Sequence, residues 1–354
     1  MLYVMVDYIV VGTGLAGICF TEKLASEGKS FIVIDNEKRS SSLQAGGMYN
    51  PVVLKRFTEV WKVGEQLAIA KPFYAKLEEK LGAKFMHEIP LYRRLVSIEE
   101  QNNWFQAADR PNLESYLSSN LDRQEIKGVL SPYGFGVVNE TGYVDTKVLI
   151  SKYRALLHQE GVYRVEAFDF DQLSFDNEKV VYKDIEAKHI VFAEGFGMLN
   201  NPFFKELPLD GTKGEVMVVK IPDLNIDFIL KANVFLIPLG DNHYKVGATY
   251  NWEDKTDDVS KEGLEELIAG LKEVVDLDFE VVQHSAGVRP TVKDRRPLLG
   301  RSLQSDRIHV MNGLGTRGVL LGPFLADKLY NNIENKMPLE ENLSIHRYKK
   351  FKLK

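Results

Sequence analysis

Val4 to Val11 is a short, unbroken apolar run rich in β-branched residues, the pattern of a strand buried on both faces. Leu15 to Glu27 follows with apolar residues at helical spacing and stops at Gly28, a residue suited to closing a helix. Ser30 to Asp35 (SFIVID) reads as a second buried strand, so the chain opens with a βαβ unit. Asn50 to Gly82 reads as helical with breaks at Pro51 and Pro72, Phe85 to Asn139 as mixed, and Thr146 to Glu160 as an amphipathic helix. Val180 to Ala193 holds two strands, the second being His189 to Ala193. Gly214 to Tyr250 alternates strand-like runs with turns such as Gly240-Asp241-Asn242, as antiparallel sheets do. Ser260 to Val275 reads as a helix, Arg307 to Met311 as a strand and Gly318 to Asn332 as a helix. Parallel-type units thus stand at the start, middle and end, with antiparallel material between them. The pattern predicts an α/β (α+β) chain: a Rossmann-like nucleotide domain assembled from 1–85, 140–205 and 285–354, and an inserted antiparallel-sheet substrate domain from 86–139 and 206–284.

Composition narrows the class. The chain has 354 residues, 44% hydrophobic and 27% charged, which is ordinary globular usage and enough for two domains. A net charge of −5 offers no global basic field, so no nucleic-acid partner is expected. The basic run His346 to Lys354 reads as a solvated tail. Cys19 is the single cysteine, which excludes an intrachain disulfide, a zinc cluster and a thiol relay and suits a reducing, cytoplasmic setting. The seven histidines lack metal-ligand spacing, so no metal is expected. The apolar start has no basic n-region, is interrupted by Asp7 and contains glycines, so it does not read as a signal peptide. No stretch is apolar long enough to span a bilayer.

Gly12-Thr13-Gly14-Leu15-Ala16-Gly17 matches G-x-G-x-x-G between a strand and a helix, the context in which that pattern binds a dinucleotide. Gly12 permits the tight turn, Gly14 lets the backbone approach a pyrophosphate, and Gly17 lets the helix pack closely. The amides of Leu15 and Ala16 at the positive helix end add to the phosphate site. Asp35, eighteen residues after the last glycine, and Asn36 stand where ribose hydroxyls are held, and a carboxylate there would repel a ribose phosphate, disfavouring NADP. The fingerprint alone does not separate NAD from FAD.

The far end of the chain does. Residues 286–326 carry Gly287, Arg289, Pro290, Asp294, Pro297, Gly300, Gly313, Gly318 and Pro323 in the order of a pattern that resembles the D-amino acid oxidase family of FAD-dependent oxidoreductases, which includes glycine oxidase and sarcosine oxidase. Gln44-Ala45-Gly46-Gly47-Met48 resembles the family's turn near the flavin ring, Gly142-Tyr143-Val144-Asp145 its Gly-x-Val-Asp, and Ala193-Glu194-Gly195 its Ala-x-Gly nucleotide turn. The resemblance implies bound FAD. It further implies hydride transfer from the α-carbon of an amino acid or secondary amine to flavin N5, giving an imine, with oxygen or a quinone as acceptor. It assigns Arg289 to the substrate carboxylate, a task suited to a planar two-bond fork. Gly313-Leu314-Gly315-Thr316-Arg317-Gly318 is a second G-x-G-x-x-G; too little chain follows for an NADPH site. This helix start, through Gly313, Gly315, Thr316, Gly318 and Val319, is expected to stabilise charge at the flavin's pyrimidine end, with Arg317 adding its positive charge.

The sequence also departs from the family. Phe235 stands before Leu236-Ile237-Pro238 where D-amino acid oxidases carry tyrosine, so one carboxylate hydrogen bond is missing. Tyr250 and Trp252 are candidate pocket residues, and Lys55-Arg56 a solvated helix face. With Cys19 on the first helix, thioether attachment at the family position is impossible and FAD is expected to be noncovalent. Two other enzymatic readings stay open. Gly-x-Gly-x-Arg-Gly and Tyr49-Asn50-Pro51 resemble the oxidase half of the bifunctional enzyme of tRNA 5-methylaminomethyl-2-thiouridine biosynthesis, so a stand-alone oxidase of a modified tRNA nucleoside is one, although this sequence has no room for that enzyme's methyltransferase half. A flavin monooxygenase-like enzyme is the other, although such enzymes carry Gly-Asp where this chain has Asn312-Gly313. Oligomeric state and the identity of the amine are not legible.

Overall fold

The computed structural model describes residues 4–38 and 40–351. The chain builds two eight-stranded sheets. In the first, Val4–Val11 lies between Phe31–Asp35 and Ile185–Phe192, parallel to both, with Val10 opposite Val33 and Val191. Tyr163–Val165 extends the sheet beyond Phe31–Asp35, and Ile308–Asn312 joins Ile185–Phe192 in parallel on the other side. Tyr8 to Val11 and Phe31 to Ile34 are buried on both faces, as a parallel sheet covered by helices requires, while Val4 and Met5 at the start of the first strand are exposed.

The second sheet draws on residues 91–138 and 212–289. Its order is Glu280–Arg289, Thr212–Lys220, His243–Gly247, Phe235–Gly240, Ile229–Lys231, Leu91–Arg94, Phe135–Val138, Leu117–Asp122. Every neighbouring pair is antiparallel except Ile229–Lys231 with Leu91–Arg94.

Helices Leu15–Ser26 and Gly318–Glu334 cross at close range. A Cβ on Gly322 would stand 2.7 Å from Cys19 Sγ, and one on Gly318 3.0 Å from Leu15 Cδ1. The two helix starts are thereby fixed side by side at the end of the first sheet. A third helix, Val63–Leu81, braces the second of them, with the Tyr74 hydroxyl donating to the Val319 carbonyl at 2.9 Å.

Two expectations are corrected. Residues 50–62 are not helical: Asn50 Oδ1 accepts from the Val52 amide at 2.7 Å, and Val52–Val53 pairs with Thr58–Glu59 in a small hairpin. Phe57 and Lys62 take φ of 47° and 50°, so the chain turns where a helix would have to run. Pro72 lies within the helix without ending it, because buried Val63, Leu67, Ala70, Tyr74 and Leu77 anchor both sides of the missing amide. The basic terminus is not a solvated tail as far as it is described. Arg347 Nε pairs with Asp294 Oδ2 at 2.9 Å, the Tyr348 hydroxyl donates to the same carboxylate, and Ile345 and Phe351 are buried in the core. Phe351 of that run is buried, Arg347 is largely covered, Lys349 is exposed, and Lys352 to Lys354 lie outside the described residues.

Candidate cofactor and substrate site

A cavity of about 1070 Å³ runs between the sheets, and both glycine-rich helix starts open onto it. At the first, Gly12 takes φ of 106°, and a Cβ there would stand 2.6 Å from the Ala193 carbonyl oxygen. A Cβ on Gly17 would stand 1.9 Å from the Gly12 carbonyl, so Gly17 serves packing and lies behind the wall. Asp35 Oδ2 accepts from the Thr13 amide at 2.7 Å, Ser42 Oγ from the Leu15 amide at 3.2 Å, and Arg154 donates to Thr13 Oγ1 at 2.8 Å and Asp35 Oδ1 at 3.1 Å. Asp35 therefore lines the cavity with its charge already matched by a guanidinium.

The second helix start is tied to the Ala193-Glu194-Gly195 turn by Asn312. Its Nδ2 donates to the Gly195 carbonyl at 2.8 Å and its Oδ1 accepts from the Gly313 amide at 2.8 Å. Gly313 and Gly315 take φ of 74° and 56°, and a Cβ on Gly313 would meet Val292 at 2.7 Å while one on Gly315 would meet nothing within 4 Å. Leu314, Gly315, Thr316, Gly318 and Val319 face the cavity. Glu194 lines it too; burial pushes its carboxyl up to about 7, against one hydrogen bond from Asn201 Nδ2 at 2.7 Å.

The roof comes from the second sheet. Gly46 and Gly47 approach it so closely that a Cβ on Gly46 would stand 2.8 Å from Phe235 Cζ; Gly47 has φ of 66° and its Cβ would stand 1.9 Å from the Val144 carbonyl. Arg289, last residue of Glu280–Arg289, lies across Gly214, where a Cβ would stand 1.9 Å from its Nη2. Its Nη1 donates to the carbonyls of Thr249 at 3.2 Å and Lys213 at 3.5 Å, and the Tyr250 ring covers its Cζ at 4.6 Å. Among the described residues no carboxylate pairs with it, and burial depresses its pKa, so the charged form lacks a counterion at the cavity wall. Val216, Ala248, Asp257, Asn233 and Lys231 complete the lining contributed by this part of the chain. Lys245 stands behind the flavin turn, its Nζ donating to the Ala45 carbonyl at 3.1 Å, and burial lowers its pKa.

The cavity thus brings together Gly12, Gly14, Leu15, Ala16, Asp35, Asn36, Ala45, Gly46, Gly47, Met48, Ala193, Gly195, Gly315, Thr316, Gly318, Val319, Tyr250 and Arg289. It does not include Gly17 or Gly313, which act as spacers, nor Arg317, whose Nη2 donates to the Arg295 carbonyl at 3.3 Å outside the lining. Trp252, Lys55 and Arg56 are also outside it. Sequence reasoning missed Ser42, Arg154, Glu194 as a buried acid, Asn312 as a strut, Gly214 as the bed of Arg289, and Lys231. Only Gly214 carried a signal, as a glycine inside a strand. The cradle fits FAD: two glycine-rich helix starts share one long cavity, Gly14, Gly46, Gly47, Gly195 and Gly315 line it without side chains, and Arg289, without a carboxylate partner among the described residues, stands at its wall.

Residues 7–331 match the family model described as DAO, FAD dependent oxidoreductase. The chain is 23% identical to glycine oxidase of Bacillus subtilis, covering 93% of both chains. It is 21% identical to the tRNA 5-methylaminomethyl-2-thiouridine biosynthesis bifunctional protein MnmC of Marinobacter nauticus, covering 92% of this chain but 55% of that protein, so it spans about half that relative's length. Among solved structures, glycine oxidase from Geobacillus kaustophilus superposes with a TM-score of 0.79 at 19% identity, over 95% of this chain and 96% of that one. Iminodiacetate oxidase from Chelativorans sp. superposes with a TM-score of 0.76 at 18% identity, over 96% and 99%. The chain belongs to the DAO family of FAD-dependent oxidoreductases.

Proposed function

We propose that this enzyme oxidises an amino acid or a secondary amine that carries a carboxylate, in the cytoplasm, with oxygen or a quinone as electron acceptor. The observation that carries this reading is Arg289: a buried guanidinium, without a carboxylate partner among the described residues, at the wall of the cavity that the flavin turn Ala45–Met48 also lines. An anion entering the cavity supplies the missing counter-charge, and the guanidinium fork fixes its orientation. The Thr249 carbonyl and the Tyr250 ring hold the guanidinium in place, so binding spends little on ordering it. Phe235, packed on Gly46, closes the roof with an apolar ring and keeps water from the α-carbon. FAD, when bound, would accept the α-hydrogen as a hydride, that is, with both electrons of the α-C–H bond; with loss of one N–H proton this leaves an imine that water hydrolyses to a carbonyl compound and an amine or ammonia.

Anaerobic bleaching of the flavin by a panel of amines tests the reading. Carboxylate-bearing amines are expected to bleach it and their carboxamides or decarboxylated analogues are not; equal bleaching by both sets would sink it. The likeness to MnmC and the exposed ring of Tyr250 over Arg289 favour, as a second reading, an amine borne on a modified nucleoside. Flavin bleaching by bulk tRNA but not by free amino acids would select it.

A further inference from the structure

A second cation lines the same cavity from the other end of the roof. Lys231 closes the short strand Ile229–Lys231 and stands opposite Phe235 across the strand pair, so the two side chains share the face that covers the flavin turn. Its Nζ donates to the carbonyls of Ala232 at 2.9 Å and Asn233 at 3.3 Å. An ammonium has three donors, so one remains, and no carboxylate pairs with it among the described residues. Its neighbour on the adjoining strand, Arg93, is already engaged by Glu100 at 2.7 Å and adds positive charge without relief. Burial first, and Arg93 second, lower the Lys231 pKa to about 8, as befits a cation awaiting a counterion.

The sheet register sets the distance between the two cations. The row Val216, Gly247, Phe235, Lys231 crosses three strand spacings, about 14 Å at ~4.8 Å each. Arg289 lies on Gly214, two residues along the strand from Val216, so the two cations face one cavity from opposite sides of that row.

We propose that Lys231 and Arg289 together select a dicarboxylate, a secondary amine bearing an acidic group on each side of its nitrogen, with Lys231 as the specificity-determining anchor for the second acid. The proposal rests on Arg289 holding the first carboxylate as argued above. It also accounts for Phe235: with a cation at either end, the middle of the substrate needs an apolar cover and not another hydroxyl.

The test is binding to the FAD-loaded enzyme, read from the flavin difference spectrum. The ligands are thiodiacetate, in which sulfur replaces the amine so that no turnover occurs, and methylthioacetate, which keeps one carboxylate. Thiodiacetate is expected to bind about ten- to a hundredfold more tightly, the worth of one charge-assisted contact. Lys231→Met is expected to remove that advantage, and Lys231→Arg to retain most of it, with an unchanged flavin spectrum as the check on folding. Equal affinities in the native enzyme, or a Lys231→Met variant that keeps the advantage or weakens both ligands alike, would overturn the proposal. Failure of every amine to bleach the flavin would instead count against amine oxidation, and the binding comparison would still stand on its own.

Discussion

Gly214 shows how one missing side chain can determine a binding site. Arg289 occupies the space a Cβ would take, 1.9 Å from Nη2, so no other residue at 214 leaves the guanidinium where it lies. Gly214→Ala is expected to raise KM for a carboxylate-bearing amine by about ten- to a hundredfold, the cost of losing a charged hydrogen bond, while FAD content stays unchanged. Steady-state kinetics with flavin quantification checks it, and unaltered KM would mean the arginine does not meet substrate. Glu194 is the opposite case, a group whose chemistry is imposed by its surroundings. Its folded-state pKa of about 7 lies above that of an ordinary glutamate, so its contribution is complete at acid pH, below the usual carboxylate range, and is lost as pH rises through 7. An ionised Glu194 would then share the cavity with an anionic cofactor. FAD affinity is expected to fall above pH 7 by at most about tenfold per pH unit, and Glu194→Gln to flatten that fall. Fluorescence of released FAD across pH 6–9 reads this directly.

At the scale of elements, the central strands Ile185–Phe192 and Ile308–Asn312 are joined through their side chains as well as their backbones. His189 Nδ1 and His309 Nε2 sit 3.1 Å apart in the core, and the Tyr8 ring lies over His189 with centroids 5.3 Å apart. Burial holds His189 down to about 4 and His309 well below the ordinary imidazole range, so both are neutral at pH 7. A depressed histidine contributes stability that is present above the ordinary imidazole range and lost as pH falls towards the folded value. Melting temperature is therefore expected to drop between pH 6.5 and 4, with His189 alone accounting for about 3 kcal/mol at the acid end. His189→Leu should shallow that limb while lowering stability at pH 7, since it leaves His309 Nε2 without its partner. An acid limb identical in variant and native protein would remove the pair from the account.

The same strands were the easiest part of the fold to read, because a β-branched run of five to eight residues has few other destinations. The hairpin at 52–59 was hidden: its turns depend on left-handed Phe57 and Lys62, and neither residue type announces that conformation. The docked terminus was hidden by its charge, which concealed Ile345 and Phe351. At the site, glycine spacing pointed to residues that line the cavity, since the glycines' use is local. Arg154, Asn312 and Lys231 were illegible because each acts on an element more than a hundred residues away or through a register that only the folded sheet creates.

For the whole molecule, the decisive arrangement is that helices Leu15–Ser26 and Gly318–Glu334 lie against each other and begin at one cavity. Substitution of either start should act on the same observable: Gly12→Val, with 2.6 Å to the Ala193 oxygen and φ of 106°, is expected to abolish FAD retention outright, measured as loss of yellow absorbance in soluble protein. The crossing point of these helices is marked by Cys19, fully buried, its thiol pushed up by that burial, and packed against Gly322. Because it is the chain's single cysteine, the native enzyme carries its own chemical clock. An aromatic disulfide reagent can reach this sulfur only when the helices part, so its rate of colour development times their separation, with no label introduced. Added FAD, held by both helix beginnings, should slow that clock in proportion to the bound fraction; colour that develops at one rate with or without cofactor would mean that the two helices do not open as a unit when the ligand leaves.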